Sequence, residues 1–194
     1  MKIILASKSG VRKKILEKNN VDVEVVISGL DEDQAKESLL AEGANPLVIS
    51  KNLAELKSLK ISTKYPDKLV LGADSVISLN NELINKPKSR EEALKILKKL
   101  NNSKHYLISS VCISKNGAMV WNHSDQSELK MKNFNEGELK KYLSKIKTET
   151  LLAYGVYQVE AQGLDLFEYI KGDQDSIMGL PIKQILNYIK QYSI

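Results

Sequence analysis

The sequence has little cysteine, proline or arginine and no long apolar run. Its 194 residues include one cysteine, Cys112, which excludes an intrachain disulfide and a zinc site built from several cysteines. No segment approaches the roughly 20 apolar residues that a membrane-spanning helix needs, and the first residues are too weakly apolar for a secretion signal. We therefore expect a soluble, cytoplasmic protein without a membrane partner.

Arginine is scarce although the chain is basic. The formal net charge is +5, yet only Arg12 and Arg90 among the 29 basic residues are arginines. Nucleic-acid sites usually cluster lysine with arginine and aromatic side chains. Scattered lysines are more typical of a solvated surface, so a nucleic-acid partner is not expected.

The composition is that of a globular protein, with 42% hydrophobic and 27% charged residues. A chain of this length buries roughly 70% of the surface that it exposes when unfolded. There are no internal repeats and no low-complexity linker. We expect one domain over residues 1–194.

Strand and helix patterns alternate along the first hundred residues, and an Asn116-Gly117 turn then joins two strands that we expect to pair antiparallel. An acidic segment at 29–33 predicts a break after the second strand. Together these patterns predict an α/β fold, a mixed sheet with helices packed on it. The strands are predicted at 2–6, 21–28, 69–79, 105–113 and 118–129, and the helices at 11–19, 46–59, 90–100, 135–146 and 181–192.

The loop after the first strand is a candidate anion site. It brings backbone N–H groups and the hydroxyls of Ser7 and Ser9 to a helix N-terminus, where the helix dipole favours anions. Arg12 follows one turn later and could contribute a guanidinium suited to phosphate oxygens. The alternative is a capped helix with a surface arginine. No GxxxxGK[ST] or GxGxxG pattern occurs.

Asp74 interrupts the most apolar predicted strand. A buried, unpaired carboxylate costs several kcal/mol, so Asp74 must meet a cation, a donor or water. Glu32 is a candidate companion, and two carboxylates beside a phosphate loop can hold Mg²⁺ or Mn²⁺. The alternative is that Asp74 caps a turn and Glu32 is solvated.

Other polar residues favour ordinary structural roles when each is taken alone. Lys57 and Lys86 are more typical of surface, and Cys112 is more typical of a buried small hydrophobe than of a thiol nucleophile paired with His105 or His123. The segment 154–163 could contact a nucleobase through its tyrosines and polar side chains, or it could be a strand with a polar face.

In order along the chain, these segments resemble the Maf family of nucleoside triphosphate pyrophosphatases over essentially the whole length. The similar motifs are LASKSGVRK (5–13), LDE (30–32), LAELKS (53–58), GADSV (72–76), KP (86–87), GD (172–173) and GLP (179–181). The resemblance implies a two-lobed fold with a central cleft, like that of Maf and ITPase proteins, and a homodimer.

The resemblance also implies a reaction and a set of site residues. A nucleoside triphosphate would be cleaved between its α- and β-phosphates with Mg²⁺ or Mn²⁺. Asp74 would accept the proton, and Glu32 with Asp74 would hold the metal. The triphosphate would be held by Ser7, Arg12, Lys57 and Lys86.

Three positions of the resemblance concern the nucleobase: Val11, Ser75 and Glu160. Many family members have arginine, threonine and glutamine there, and glycine where Ala161 stands. The family branch that acts on 7-methylguanosine triphosphate carries glutamate at the third position, as this chain does. A carboxylate can accept from both N1–H and N2–H₂ of guanine, so Glu160 favours a purine-type or modified substrate.

Two other function classes remain open. The family is also associated with inhibition of septum formation, which would act through binding a protein or nucleic acid. A nucleotide-binding module without turnover is the third possibility, but a binder gains little from Asp74 and Glu32 beside a phosphate site.

Overall fold

The computed structural model describes residues 2–159 and 162–192. Within this part of the chain, no helix is long and apolar enough to cross a membrane. The strands are β1 (Ile3–Leu5), β2 (Val23–Val25), β3 (Val70–Leu79), β4 (Glu82–Ile84), β5 (Lys104–Lys115), β6 (Ala118–Met131) and β7 (Phe167–Lys171). The helices are α1 (Gly10–Lys18), α2 (Glu32–Ala41), α3 (Pro46–Ser62), α4 (Arg90–Leu100), α5 (Glu136–Ser144), α6 (Thr148–Tyr154), α7 (Gln174–Ile177) and α8 (Ile182–Tyr192), with a 3-10 turn at Gln162–Leu166.

The seven strands of the described chain form one mixed sheet in the order β2-β1-β3-β5-β6-β7, and β4 pairs with β3. Strand β1 is parallel to both β2 and β3, with Leu5 opposite Leu71. The pairs β3–β4 and β6–β7 are antiparallel. The predicted α/β class, a mixed sheet with helices, is confirmed.

The predicted hairpin between β5 and β6 is present. Asn116 has φ 50° and Gly117 has φ 72°, the pair of positive angles that a tight two-residue turn requires. A connection this short makes the two neighbouring strands antiparallel.

The described chain divides into two compact units, of which unit 1 comprises residues 2–76, 108–126 and 173–192. Its main core joins β1, α1, β3, β5 and α8. Fully buried members include Leu5, Leu16, Leu71 and Ile113. These positions alternate along the strands or recur at helical spacing, so each element turns its apolar face inward.

Unit 2 comprises the described residues of 77–107 and 127–172. Its core joins α4 and α5 to β6, with Leu97, Leu129 and Met131 fully buried. Ser89 caps α4 by accepting from Glu92 N at 3.1 Å, and the Glu92 carboxylate accepts from Lys88 N.

The acidic segment was predicted as a break, but it also begins a helix. Gly29 turns the chain with φ 58°, and Asp31 then caps α2 by accepting from Gln34 N at 3.0 Å. Helix α2 has no buried residue, so it lacks the apolar periodicity that predicts helices. The short elements α6, α7 and β7 were also not predicted.

Candidate active site

The first part of the site is the loop between β1 and α1. Ser9 caps α1 by accepting from Arg12 N at 3.4 Å, and Ser7 Oγ accepts from Ser9 N at 3.2 Å. Both serines therefore shape the loop, and Ser7 remains partly exposed. The parallel register of β1 with β3 brings this loop beside residues 73–75.

Most N–H groups of the Arg12 guanidinium donate to acceptors of the protein itself. Its Nε donates to Gly179 O at 2.9 Å, Nη1 donates to Ala73 O at 2.9 Å and to Ser7 Oγ at 3.2 Å, and Nη2 donates to Ser75 Oγ at 3.1 Å. Among the described residues, four of its five N–H groups are thus engaged. Arg12 therefore joins three separate segments of unit 1.

Gly179 can approach this guanidinium because it has no side chain. Its φ is 96°, and an added Cβ would lie 3.1 Å from Ser75 Oγ and 3.4 Å from Arg12 Nε. Any other residue would combine backbone strain with crowding against the arginine.

The second part of the site depends on a close approach of α3 to β3. A Cβ at Gly72 would lie 2.0 Å from Ala54 O and 2.8 Å from Ser58 N, so only glycine lets the helix backbone touch the strand. Ser50 on the same helix donates to Asp74 O at 3.3 Å. The helix is thereby fixed along the strand.

This packing places Lys57 of α3 between two carboxylates. Lys57 Nζ lies 2.8 Å from Asp74 Oδ1 and 3.0 Å from Glu32 Oε1. The side chains of Lys57 and Asp74 are only 6% and 8% exposed, whereas Glu32 is 34% exposed. Asp74 Oδ2 is buried and has no hydrogen-bond partner among the described residues. The described residues therefore satisfy only one of the two oxygens of this buried carboxylate.

The two carboxylates also act on the arginine. Burial lowers the pKa of the Arg12 guanidinium, and the negative charges of Asp74 and Glu32 oppose that effect by raising the pKa. A guanidinium stays protonated at any physiological pH, so Arg12 remains a cation beside the two carboxylates.

The model of the Maf-like protein family matches residues 2–192. The chain belongs to the Maf-like family. Sequences of related family members align with this chain over nearly its full length. A nucleoside triphosphate pyrophosphatase of Pelagibacter ubique is 58% identical over 188 residues, which cover 97% of this chain and 96% of that protein.

More distant members carry the same name. A nucleoside triphosphate pyrophosphatase of Granulibacter bethesdensis is 35% identical and covers 99% of this chain and 98% of its own, and one of Caulobacter vibrioides is 37% identical with 97% and 94% covered. Among solved structures, the Staphylococcus aureus Ham1 protein aligns with a TM-score of 0.42 and 18% identity over 68% of this chain and 72% of its own.

The structure brings together six of the residues that the Maf resemblance implicates. They form two clusters in unit 1, one around the Arg12 guanidinium and one around the Lys57 ammonium. The first comprises Ser7, Arg12 and Ser75, and the second comprises Glu32, Lys57 and Asp74. From its residue type alone Lys57 was expected at the surface; that expectation is wrong, because α3 buries its side chain.

The remaining residues that the resemblance implicates are Val11, Lys86 and Glu160. Val11 is partly buried and packs against the core of unit 1. Lys86 follows β4 in unit 2 with an exposed side chain. Glu160 and Ala161 lie outside the described residues.

Thiol catalysis has no support in the described structure. Cys112 is buried, burial raises the pKa of its thiol, and its hydrogen-bond partners are Ser58 and Ser114 rather than a histidine. His105 instead bonds Tyr157 Oη at 2.9 Å, and His123 bonds Asp125 at 2.7 Å.

Three residues of the site were missed from the sequence: Gly72, Ser109 and Gly179. The two glycines lie inside motifs that carry the resemblance, but the sequence does not indicate which close contacts they allow. Ser109 pairs with Ser75 Oγ at 3.0 Å, and its only signal was a serine within an apolar strand.

Proposed function

We propose that this chain is a nucleoside triphosphate pyrophosphatase, which releases the nucleoside monophosphate and pyrophosphate. The observation that carries the proposal is the buried Asp74, with Oδ1 held by Lys57 and Oδ2 unpaired among the described residues. The name shared by relatives as similar as 58% identical supports it.

In this proposal, Asp74 is the proton acceptor. Water attacks the α-phosphorus, its proton passes to Asp74 Oδ2, and the bond from the α-phosphorus to the bridging oxygen breaks. That oxygen leaves with the bonding electron pair as part of pyrophosphate. The hydrogen bond from Lys57 to Oδ1 fixes the carboxylate so that Oδ2 can orient the water.

The triphosphate is held by donors and cations. Ser7 Oγ already accepts from Ser9 N and Arg12 Nη1, so its own O–H is available to a phosphate oxygen. Lys57 and Lys86 add positive charge, and each charge-assisted contact contributes about 1.5–3 kcal/mol. Arg12 contributes mainly by holding Ser7 and Ser75 in place, because few of its N–H groups remain for substrate.

The carboxylates suit a divalent metal of the Mg²⁺ or Mn²⁺ type. Such hard cations prefer oxygen ligands, and the Glu32 and Asp74 carboxylates would supply them, with Asp74 Oδ2 left to the attacking water. The described residues contain no cluster of three or more histidine, cysteine or acidic ligands, so phosphate and water oxygens would complete the shell. When bound, the metal would neutralise charge on the phosphates.

The proposed nucleobase preference rests on Glu160. A carboxylate there favours a purine-type or modified base, so Glu160→Gln is expected to shift relative kcat/KM toward UTP or dTTP. An unchanged substrate profile would remove this part of the proposal. The homodimer remains a prediction, which sedimentation of the purified chain would test.

The decisive experiment measures pyrophosphate and orthophosphate separately from a panel of canonical and modified triphosphates with Mg²⁺ or Mn²⁺. Asp74→Asn is expected to fold and to reduce pyrophosphate release at least about 100-fold, because the amide cannot accept the proton. Asp33→Asn, which removes an exposed carboxylate of α2, is the matched control and is expected to retain activity. Release of pyrophosphate by Asp74→Asn at the wild-type rate would refute the assignment.

Regulation of septum formation is the less favoured function, because the relatives' shared name describes hydrolysis. A binding role would not need Asp74. A division phenotype that survives Asp74→Asn would therefore be separate from the reaction.

A further inference from the structure

Ser109 of β5 has a hydroxyl that the proposed reaction does not use directly. The residue is 1% exposed, and among the described residues its side chain bonds one group, Ser75 Oγ at 3.0 Å. Ser75 is partly exposed and also accepts from Arg12 Nη2 at 3.1 Å. The two hydroxyls therefore form a short chain that starts in the core and ends at the site.

Only one arrangement of the protons satisfies both hydroxyls. If Ser75 donated to Ser109, the O–H of the buried Ser109 would lack an acceptor, which is costly in a low-dielectric interior. If Ser109 donates, Ser75 Oγ accepts from Ser109 and from Arg12, and both of its lone pairs are used. The Ser75 O–H must then point to a partner outside this chain of hydrogen bonds.

We propose that Ser109 is a positioning residue that makes Ser75 a hydrogen-bond donor to an acceptor oxygen of the bound nucleotide. The proposal rests on the proposed function and identifies what Ser75 recognises. Ser75 therefore favours a nucleotide oxygen that carries no proton, because such an oxygen can accept its hydrogen bond. It does not favour an amino or hydroxyl group that would act as a donor.

The other side of the guanidinium repeats the pattern. Ser7 Oγ accepts from Ser9 N at 3.2 Å and from Arg12 Nη1 at 3.2 Å. Arg12 thus lies between two partly exposed hydroxyls whose lone pairs are occupied. Each can only donate, which suits a ligand as rich in acceptor oxygens as a triphosphate.

The same strand provides a control. Ser110 follows Ser109, is fully buried, and bonds Ser124 Oγ at 2.8 Å. Successive strand residues point to opposite faces, so this second serine pair lies away from Ser75. Ser109→Ala and Ser110→Ala each remove one buried hydroxyl and break one serine–serine hydrogen bond, and they differ in whether Ser75 is affected.

The test combines steady-state kinetics, calorimetric binding of an α,β-methylene triphosphate, and thermal unfolding. Ser109→Ala is expected to raise KM and the Kd of the analogue about fivefold with kcat within about twofold, because a ground-state contact loses its fixed orientation. Ser109→Thr, which keeps the hydroxyl, is expected to restore both values. Ser110→Ala is expected to lower the unfolding temperature similarly and to leave KM and Kd unchanged.

A double-mutant cycle shows whether Ser109 acts through Ser75. In a Ser75→Ala background, Ser109→Ala is expected to have no further effect on KM or Kd. The proposal is overturned by an equal effect in that background, by unchanged KM and Kd in Ser109→Ala, or by an equal rise in Ser110→Ala. Failure of the proposed function would appear earlier and differently, as a wild-type chain that neither binds the analogue nor releases pyrophosphate.

Discussion

Both arginines bind carbonyl oxygens of their own unit. Arg12 donates to Gly179 O and Ala73 O in unit 1, and Arg90 donates in unit 2 to the carbonyl of Leu143 in the last turn of α5 and to that of Ile146 just after the helix. A planar guanidinium can serve several acceptors at once, whereas a lysine ammonium cannot reach the same set. The two residues therefore provide a matched pair of substitutions.

Arg12→Lys is expected to lower the free energy of unfolding by about 1–3 kcal/mol, because buried carbonyls lose their donors. It is also expected to reduce kcat/KM for pyrophosphate release, since Ser7 and Ser75 lose the group that orients them. Urea denaturation and the pyrophosphate assay measure the two effects.

Arg90→Lys is the control for that substitution. It is expected to lose stability of similar size, because Arg90 also binds Thr148 Oγ1 at 2.8 Å, while kcat/KM stays near the wild-type value. If both variants lost activity equally, the general loss of stability would explain the result, and no specific role of Arg12 would be needed.

Gly72 determines how closely α3 packs on β3 and therefore where Lys57 lies. Gly72→Ala is expected to cost about 1–3 kcal/mol or more, because the added Cβ meets the Ala54 carbonyl, a backbone atom that cannot rotate away. Displacement of α3 moves Lys57 from Asp74, so activity is expected to fall as well. Urea denaturation and the pyrophosphate assay report the two losses.

Gly10→Ala provides the comparison, because a Cβ at Gly10 has no atom within 4 Å. This change at the first residue of α1 is expected to be neutral or to stabilise by up to about 1 kcal/mol. A Gly72→Ala protein as stable and active as Gly10→Ala would mean that α3 does not need the close approach.

The elements that could be predicted from the sequence have strong local signals. Helix α3 begins after Asn45, whose side chain caps it, and α5 has the full reciprocal cap between Asn135 and Glu138. Helix α2 was missed because it buries no side chain, and β7 and α7 because four or five residues carry too little pattern.

The site could be predicted only in part. Motif order indicated Asp74, Glu32 and Lys57, but not that the lysine would lie between the carboxylates. The two carbonyl partners of Arg12 are 61 and 167 residues away in sequence, and no periodicity links positions so far apart. The nucleobase assignment through Glu160 stays a prediction.

The two units have separate cores, and a histidine is buried in that of unit 2. Burial lowers the pKa of His105 to about 4, so it is neutral in the folded state at neutral pH. The unfolded chain binds a proton at this residue near pH 6.5, before the folded chain does. The free energy of unfolding therefore keeps the full benefit of a neutral His105 above pH 6.5. It falls by up to about 3 kcal/mol as the pH drops from 6.5 toward 4.

The pH dependence of unfolding checks this assignment. His105→Gln keeps a group that can bond Tyr157 but does not titrate, so its free energy of unfolding is expected to fall less steeply than that of the wild type between pH 6.5 and 4. Identical slopes in the two proteins would show that groups other than His105 cause the acid sensitivity.

The engagement of both arginines inside their units has a consequence for chemical labelling. The positive charge at the surface comes mainly from lysine amines, whereas the Arg12 guanidinium donates to protein acceptors and the Lys57 ammonium is covered. Acetylating reagents attack unprotonated, accessible amines and leave guanidinium groups intact. Graded acetylation is therefore expected to turn the exterior of this basic chain anionic, the exposed Lys86 included, while the covered Lys57 reacts last.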